Sequence, residues 1–240
     1  MFNVCTACGI SHVEPEFDGS GHLVCAACGD RRPFKRLPLL LVGGAAGAGK
    51  STAGAALLGE LTEAVVIECD LLWRKEFDTP GDGYRVYSRM WLRLAAHISQ
   101  SGRPCALFGA SFAVPRNTQP LPERQLFSGI HYLGLVCDDD VLASRLRARP
   151  TWRDASDELI GEHIKFNRWL RGHASEAVPP VTLIDTTRAA VRETAALVAG
   201  WIRGRATQAT QDAPAQPDPN LTHSPSPAAA VKPLKPSGPA

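Results

Sequence analysis

Lys50 and Ser51 end the stretch Gly44-Ala45-Ala46-Gly47-Ala48-Gly49-Lys50-Ser51, where glycines, a lysine and a hydroxyl stand at the spacing G-x-x-x-x-G-K-[ST]. Glycine lets a backbone wrap closely around phosphate, and the free N–H groups that open a helix point at an anion along with the positive end of its dipole. A lysine so placed reaches β- and γ-phosphates, and the hydroxyl after it ligates Mg²⁺. The context agrees: Leu39-Leu40-Leu41-Val42 reads as a strand entering the loop, and Thr52-Ala53-Gly54-Ala55-Ala56-Leu57-Leu58 as a helix leaving it. A bare glycine-rich turn would need neither Lys50 nor Ser51. The expected phosphate contacts run over Gly44, Ala45, Ala46, Gly47, Ala48, Gly49, Lys50, Ser51 and Thr52.

A second set of reactive groups ends the next apolar run, Val65-Val66-Ile67-Glu68-Cys69-Asp70. Side chains alternate along a strand, so Glu68 and Asp70 are expected to point the same way at its C-terminal end, where ligands sit in open α/β sheets. Two carboxylates there can divide the labour. Glu68, with Ser51, would hold Mg²⁺, and Asp70 would accept the proton of a substrate hydroxyl. The plainer alternative has both acids capping the element that follows. The third apolar run leads into Gly109-Ala110-Ser111 without the carboxylate that hydrolytic motors and switch GTPases carry at that place. Metal binding then falls to the Glu68 pair, with Ser111 as an assistant.

Arginines form the third set. Arg145 and Arg149 lie one helical turn apart, and Arg153 follows; guanidinium groups suit stacking on a base and forking onto transferring phosphate oxygens. A solvated basic helix is the competing reading. Arg168, on the next helix, is placed to swing toward phosphate.

Cys5-Thr6-Ala7-Cys8-Gly9 and Cys25-Ala26-Ala27-Cys28-Gly29 are matching knuckles at the spacing of a four-cysteine zinc site. Phe17 to Val24 reads as a hairpin leading into the second. Four thiolates fill the coordination of zinc and leave no position for water, so Cys5, Cys8, Cys25 and Cys28 predict a structural zinc. Disulfides or a thioredoxin-like redox pair compete with this, opposed by the duplication of the knuckles. His12 and His22 read as exposed loop residues more readily than as ligands.

These groups need a frame, and the chain supplies one. Its 240 residues are 44% apolar and 21% charged, enough for one medium core with a small appendage. A net charge of +2 does not imply a polyanion partner. No segment approaches the about 20 apolar residues that cross a bilayer, and the N-terminus lacks a signal-peptide pattern, so a cytoplasmic location is expected.

Three regions follow from composition. Residues 1–36 are too few for a core without a metal staple. Residues 37–205 alternate apolar runs, Leu39 to Val42, Ala64 to Glu68, Cys105 to Phe108, Tyr132 to Val136 and Val181 to Ile184, with helical patterns such as Tyr87, Trp91, Leu94 and Ile98. That alternation predicts an α/β fold, a five-stranded parallel sheet covered on both faces. Residues 206–240, rich in Ala, Thr, Gln, Pro and Ser, read as a disordered tail.

Together, the phosphate loop, Glu68-x-Asp70 and Arg145-Leu146-Arg147-Ala148-Arg149 resemble the P-loop small-molecule and nucleotide kinases, a group with adenylate, shikimate and gluconate kinases and chloramphenicol phosphotransferase. The acids resemble the D-x-D of shikimate kinases, and the arginine run is similar to the lid start of adenylate kinases. The resemblance implies a three-layer fold and transfer of the γ-phosphoryl of ATP, with Asp185 and Thr186 in the loop against adenine. The D-G-[FY]-P-R of nucleoside monophosphate kinases is missing, which argues against a monophosphate acceptor.

The function expected is therefore an ATP-, Mg²⁺-dependent kinase of a small-molecule hydroxyl, a nucleoside among the candidates, with Lys50, Asp70, Arg145, Arg149 and Arg153 catalytic. The alternative is a zinc-ribbon nucleic-acid-associated ATPase or polynucleotide-end kinase, using the basic bridge Arg31 to Arg36. Around Asp70, Trp73 and Trp91 are expected in the core, while Arg74, Tyr84, Arg85 and Arg89 are candidates for covering the acceptor.

Overall fold

The computed structural model describes residues 3–11, 16–18, 20–150 and 155–211. Three short strands come first, β1 (Glu16–Phe17), β2 (Leu23–Val24) and β3 (Arg31–Arg32), paired antiparallel in that order. The Asp18 carboxylate turns the β1–β2 hairpin by accepting from the amides of Ser20 and His22, both at 2.9 Å. Each cysteine knuckle closes in the same way, with Gly9 N donating to Cys5 O and Gly29 N to Cys25 O. Both glycines take φ near +74°, 73° and 75°, a conformation that a side chain there would oppose.

The larger region runs β4 (Leu39–Gly44), α1 (Lys50–Leu57), β5 (Val65–Glu68), α2 (Arg85–Ser99), β6 (Cys105–Phe108), β7 (Ile130–Val136), α3 (Asp139–Arg147), α4 (Asp157–His173), β8 (Val181–Asp185) and α5 (Val191–Gln211). The five strands are parallel in the order β5-β6-β4-β7-β8, with β4 central. Alternation along β4 divides the core. Leu39 and Leu41 face Tyr87, Trp91 and Leu92 of α2 and Leu170 of α4, whereas Leu40 and Val42 face Ala53 and Leu57 of α1, Leu142 of α3 and Val198 and Ile202 of α5. Every expected strand is found, β4 and β7 each two residues longer than read.

Acidic residues Asp139 and Asp140 favour the N-terminal turn of α3, and Ser156 caps α4 by accepting from Leu159 N at 3.3 Å. α5 continues past Arg205 to Gln211, beyond the expected start of the tail. Ala206, Thr207 and Gln208 tolerate a helix, and no proline interrupts before Pro214. Residues 212–240, and with them the rest of that tail, lie outside the described residues, as do His12 and Arg153. No helix among the described residues is long and apolar enough to cross a membrane.

The three-stranded ribbon docks where the parallel strands begin. Phe17 meets Phe34 edge-on at 5.3 Å, both pack on the α2 side of the core, and Arg36 lies 5.3 Å above the Phe17 ring while donating to Phe127 O. Lys35 and Gln100, the latter just after α2, exchange two hydrogen bonds of 3.0 and 3.1 Å. The ribbon thus sits at the sheet edge opposite the one where β4 meets the phosphate loop.

Candidate active site and metal centre

The loop between β4 and α1 curls because Gly44 takes φ 135° with its Cα against β7, where an added Cβ would lie 2.3 Å from Leu135 O. Lys50 folds back over the loop and donates to Gly44 O and Ala45 O, both at 2.9 Å. Burial brings its ammonium down from 10.5 to about 8; Asp70 and Glu68 pull it up, and Arg149 pushes it down. Three charges from the second and third expected sets therefore act on the lysine of the first. Ser51 Oγ donates to Glu68 Oε1 at 2.6 Å, which brings the two expected Mg²⁺ ligands together as hard oxygen donors beside Lys50.

Asp70 reaches this place by a different route from the one expected. β5 stops at Glu68, and Cys69–Leu72 forms a 3-10 turn, so strand alternation does not carry as far as Asp70. The turn still leaves Asp70 exposed and near enough for its charge to act on Lys50.

Arg145 and Arg149 line the same cavity of about 410 Å³ as Gly47, Lys50, Ser51 and Thr186. α3 ends at Arg147, so Arg149 lies just past the helix and not on its face. Arg145 is held by Thr186, through 3.1 Å to the hydroxyl and 2.8 Å to the carbonyl, and Thr186 Oγ1 in turn donates to Ala48 O at 3.1 Å. Thr52 also lines this cavity, while Ala45 and Ala48 are buried beneath the loop. Asp185 is not among the lining residues. Its carboxylate accepts from Thr187 N and Arg171, facing away from the loop.

Arg168 also points elsewhere, donating to Asp139 Oδ2 at 2.6 Å. It belongs to a larger open depression of about 580 Å³ lined by Asp138, Asp139, Asp140 and Arg171, whose charges pair with one another. That depression is the larger, but its three carboxylates oppose a phosphate, whereas the smaller cavity is lined by Lys50, Arg145 and Arg149. Ser111 is half-buried on a 3-10 turn after β6, where its carbonyl accepts from Asn117. Arg89, a candidate for the acceptor, instead donates to both oxygens of Glu123 at 3.0 Å, and Glu123 is buried.

The structure corrects the placement of Trp73. It is 39% exposed, unlike Trp91, which is 1% exposed as expected. The short turns from Cys69 to Asp82 have no inner face long enough to bury it. His163 was missed in the sequence: half-buried on α4, its imidazole is held below its ordinary value by burial first, then by Lys50 and Arg149. No spacing marks it, because only tertiary packing brings α4 near Lys50 and Arg149.

In the ribbon, the Sγ atoms of Cys5, Cys8, Cys25 and Cys28 all lie within 4.8 Å of one another. Cys5–Cys28 and Cys8–Cys25 are each 3.7 Å apart, near the roughly 3.8 Å edge of a tetrahedron with Zn–S bonds of about 2.3 Å and far beyond a disulfide bond. Desolvation opposes the Cys25 thiolate, but the amides of Cys28 and Ala27 outweigh it and bring it to about 6. The donor set fits zinc with no open position. His22 takes no part, bonding to Ser20 at 2.8 Å instead.

No protein-family model and no curated protein matches the chain. Solved structures do. A gluconokinase from Sinorhizobium meliloti 1021 is 21% identical over 74% of this chain and 99% of its own, with a TM-score of 0.50. A sugar kinase from Janibacter sp. HTCC2649 is 16% identical over 70% of this chain and 95% of its own, with a TM-score of 0.52. In fold, the chain is similar to these P-loop small-molecule kinases.

Proposed function

We propose that the protein is a kinase that transfers the γ-phosphoryl group of ATP to a hydroxyl of a small molecule. The observation that carries this reading is that Lys50, Ser51, Arg145 and Arg149 line one cavity after β4, with Glu68 bonded to Ser51 and with Asp70 near enough for its charge to act on Lys50. Amides of the loop and the Lys50 ammonium would hold the phosphates, with Lys50 exchanging its two carbonyl partners for them. Ser51 and Glu68 would hold Mg²⁺, which screens the phosphate charge when bound. Asp70 would take the proton of the acceptor hydroxyl. Arg145 and Arg149 would neutralise charge on the transferring group, and Thr186, which fixes Arg145, would border the base.

A polynucleotide acceptor has less support. Arg31 pairs with Asp18, Arg32 with Asp30 and Val4 O, and Arg36 with the Phe17 ring and Phe127 O, so the basic bridge is engaged internally.

Calorimetry with Mg²⁺-ATP tests the reading. Saturable heat is expected from the wild-type chain, and Lys50→Ala should lower turnover by at least about 10³-fold with the fold intact. Turnover unchanged in that variant, or no heat from the wild type, refutes it.

A further inference from the structure

Resting on that kinase reading, we propose that the acceptor is an uncharged hydroxyl compound with a planar ring that stacks on Trp73, presenting its hydroxyl to Asp70. The apolar surface of the molecule is concentrated there. Of the nine exposed large apolar residues among the described ones, three, Leu71, Leu72 and Trp73, directly follow Asp70, and a fourth, Val86, lies in the first turn of α2.

Trp73 has a firm backing. Its ring meets Tyr87 edge-on at 5.1 Å and Tyr84 at 6.2 Å. Tyr87 is buried and donates from its hydroxyl to Cys69 O at 2.6 Å, which ties the aromatic group to the turn that carries Asp70. Tyr84 adopts φ 59°, ψ 36°, the only left-handed non-glycine residue among those described, a costly geometry for a bulky side chain. The chain tolerates this strain and leaves 39% of Trp73 in solvent, although the indole would gain by burial.

Charge argues against an acidic acceptor. Glu68 and Asp70 already set two carboxylates near Lys50, and on α2 Arg89 is bonded to buried Glu123. An anionic acceptor would need Arg74, Lys75 or Arg85, which are exposed beyond Trp73.

With ATP and Mg²⁺ present, transfer to uridine, adenosine and 1-phenyl-1,2-ethanediol is compared with transfer to ribose, glycerol and gluconate. A compound with a planar ring is expected to lead the three that lack one by about tenfold or more in kcat/KM, the scale of one stacked ring. Trp73→Ala should erase that lead through KM, and Trp73→Phe should keep most of it, with ATP binding unchanged in both as evidence of an intact fold. Gluconate in the lead, or a lead that survives Trp73→Ala, overturns the proposal. Transfer to none of the planar-ring compounds while ATP still binds also overturns it but leaves the kinase reading standing; absence of ATP binding overturns both.

Discussion

Around Lys50, the side chains that face the cavity are largely tied to the main chain of the loop and its neighbours. Lys50 rests on two loop carbonyls, Thr186 on Ala48 O and Val136 O, and Arg145 on Thr186. After β5, Asp70, Trp73 and Tyr84 stand on or beside short 3-10 turns that have no side-chain cap, and ring contacts hold Trp73 and Tyr84 together. A backbone cradle depends on conformation and so tolerates change in most side chains. A wall of side chains changes its ligand whenever one ring or charge changes. On the kinase reading, one half of this cleft would be generic to nucleotide phosphate, and the other would carry the specificity.

If that division is right, the largest separable effect belongs to Asp70. Asp70→Asn keeps size and removes the base, so turnover should fall by about 10²-fold or more while the heat of ATP binding stays near that of the wild type. Equal losses in both would place Asp70 with Ser51 and Glu68 around the metal, and the division between halves would fail at its boundary.

The same division explains what the sequence made legible. The loop and all five strands could be read because a backbone cradle needs glycines at fixed spacing and buried strands need unbroken apolar runs, as in Leu39 to Val42 and Cys105 to Phe108. The four cysteines could be read for a similar reason: a metal fixes ligand type and spacing together. The acceptor half resisted reading. Trp73 looked like core because tryptophan is large and apolar, yet the turns around it lack the periodicity that tells an inner face from an outer one. Arg89 looked free because its partner, Glu123, is 34 residues away in sequence. His163 reaches Lys50 only through tertiary packing, and Asp70 kept its place although the strand alternation used to infer it ends at Glu68.

Zinc removal should divide the halves again, with a smaller effect. The ribbon grips the far edge of the sheet through Phe17 and Phe34, and Lys35 holds Gln100 at the end of α2, whose first turn follows Tyr84 and carries Tyr87. No comparable strap runs to α1 or the loop among the described residues. Chelation should unfold the ribbon and withdraw part of the burial around Phe17 and Phe34. That is worth about 1–3 kcal/mol, or a few degrees in the melting of the sheet region. Acceptor KM should rise more than ATP affinity falls. Phe17→Ala, with all four thiols present, should reproduce the melting shift in part. Metal analysis that finds no zinc in the reduced protein, or a chelated protein that melts unchanged, would detach the ribbon from both halves.

The smallest effect is a pH dependence confined to the nucleotide half. Burial lowers the Lys50 ammonium from 10.5 to about 8, and a triphosphate needs it charged. Below about pH 8 the free protein already carries that proton, so ATP binding takes none up. Above it Lys50 is neutral, binding must recapture a proton, and affinity should fall with rising pH by up to about tenfold per unit. His163, held below its ordinary value of 6.5, is already neutral there and contributes nothing to the slope. In the acceptor half, burial pushes Tyr84 and Tyr87 above the ordinary value of 10, so neither titrates in the same window, and acceptor KM should stay flat. ATP titrations from about pH 7.5 to 9.5, in two buffers of different ionisation heat, measure the proton uptake directly. Lys50→Arg, whose guanidinium stays charged throughout, should remove the slope even if it binds ATP less well. A slope that persists in that variant would mean that a group other than Lys50 titrates against the phosphates, and the backbone cradle would no longer account for the nucleotide half.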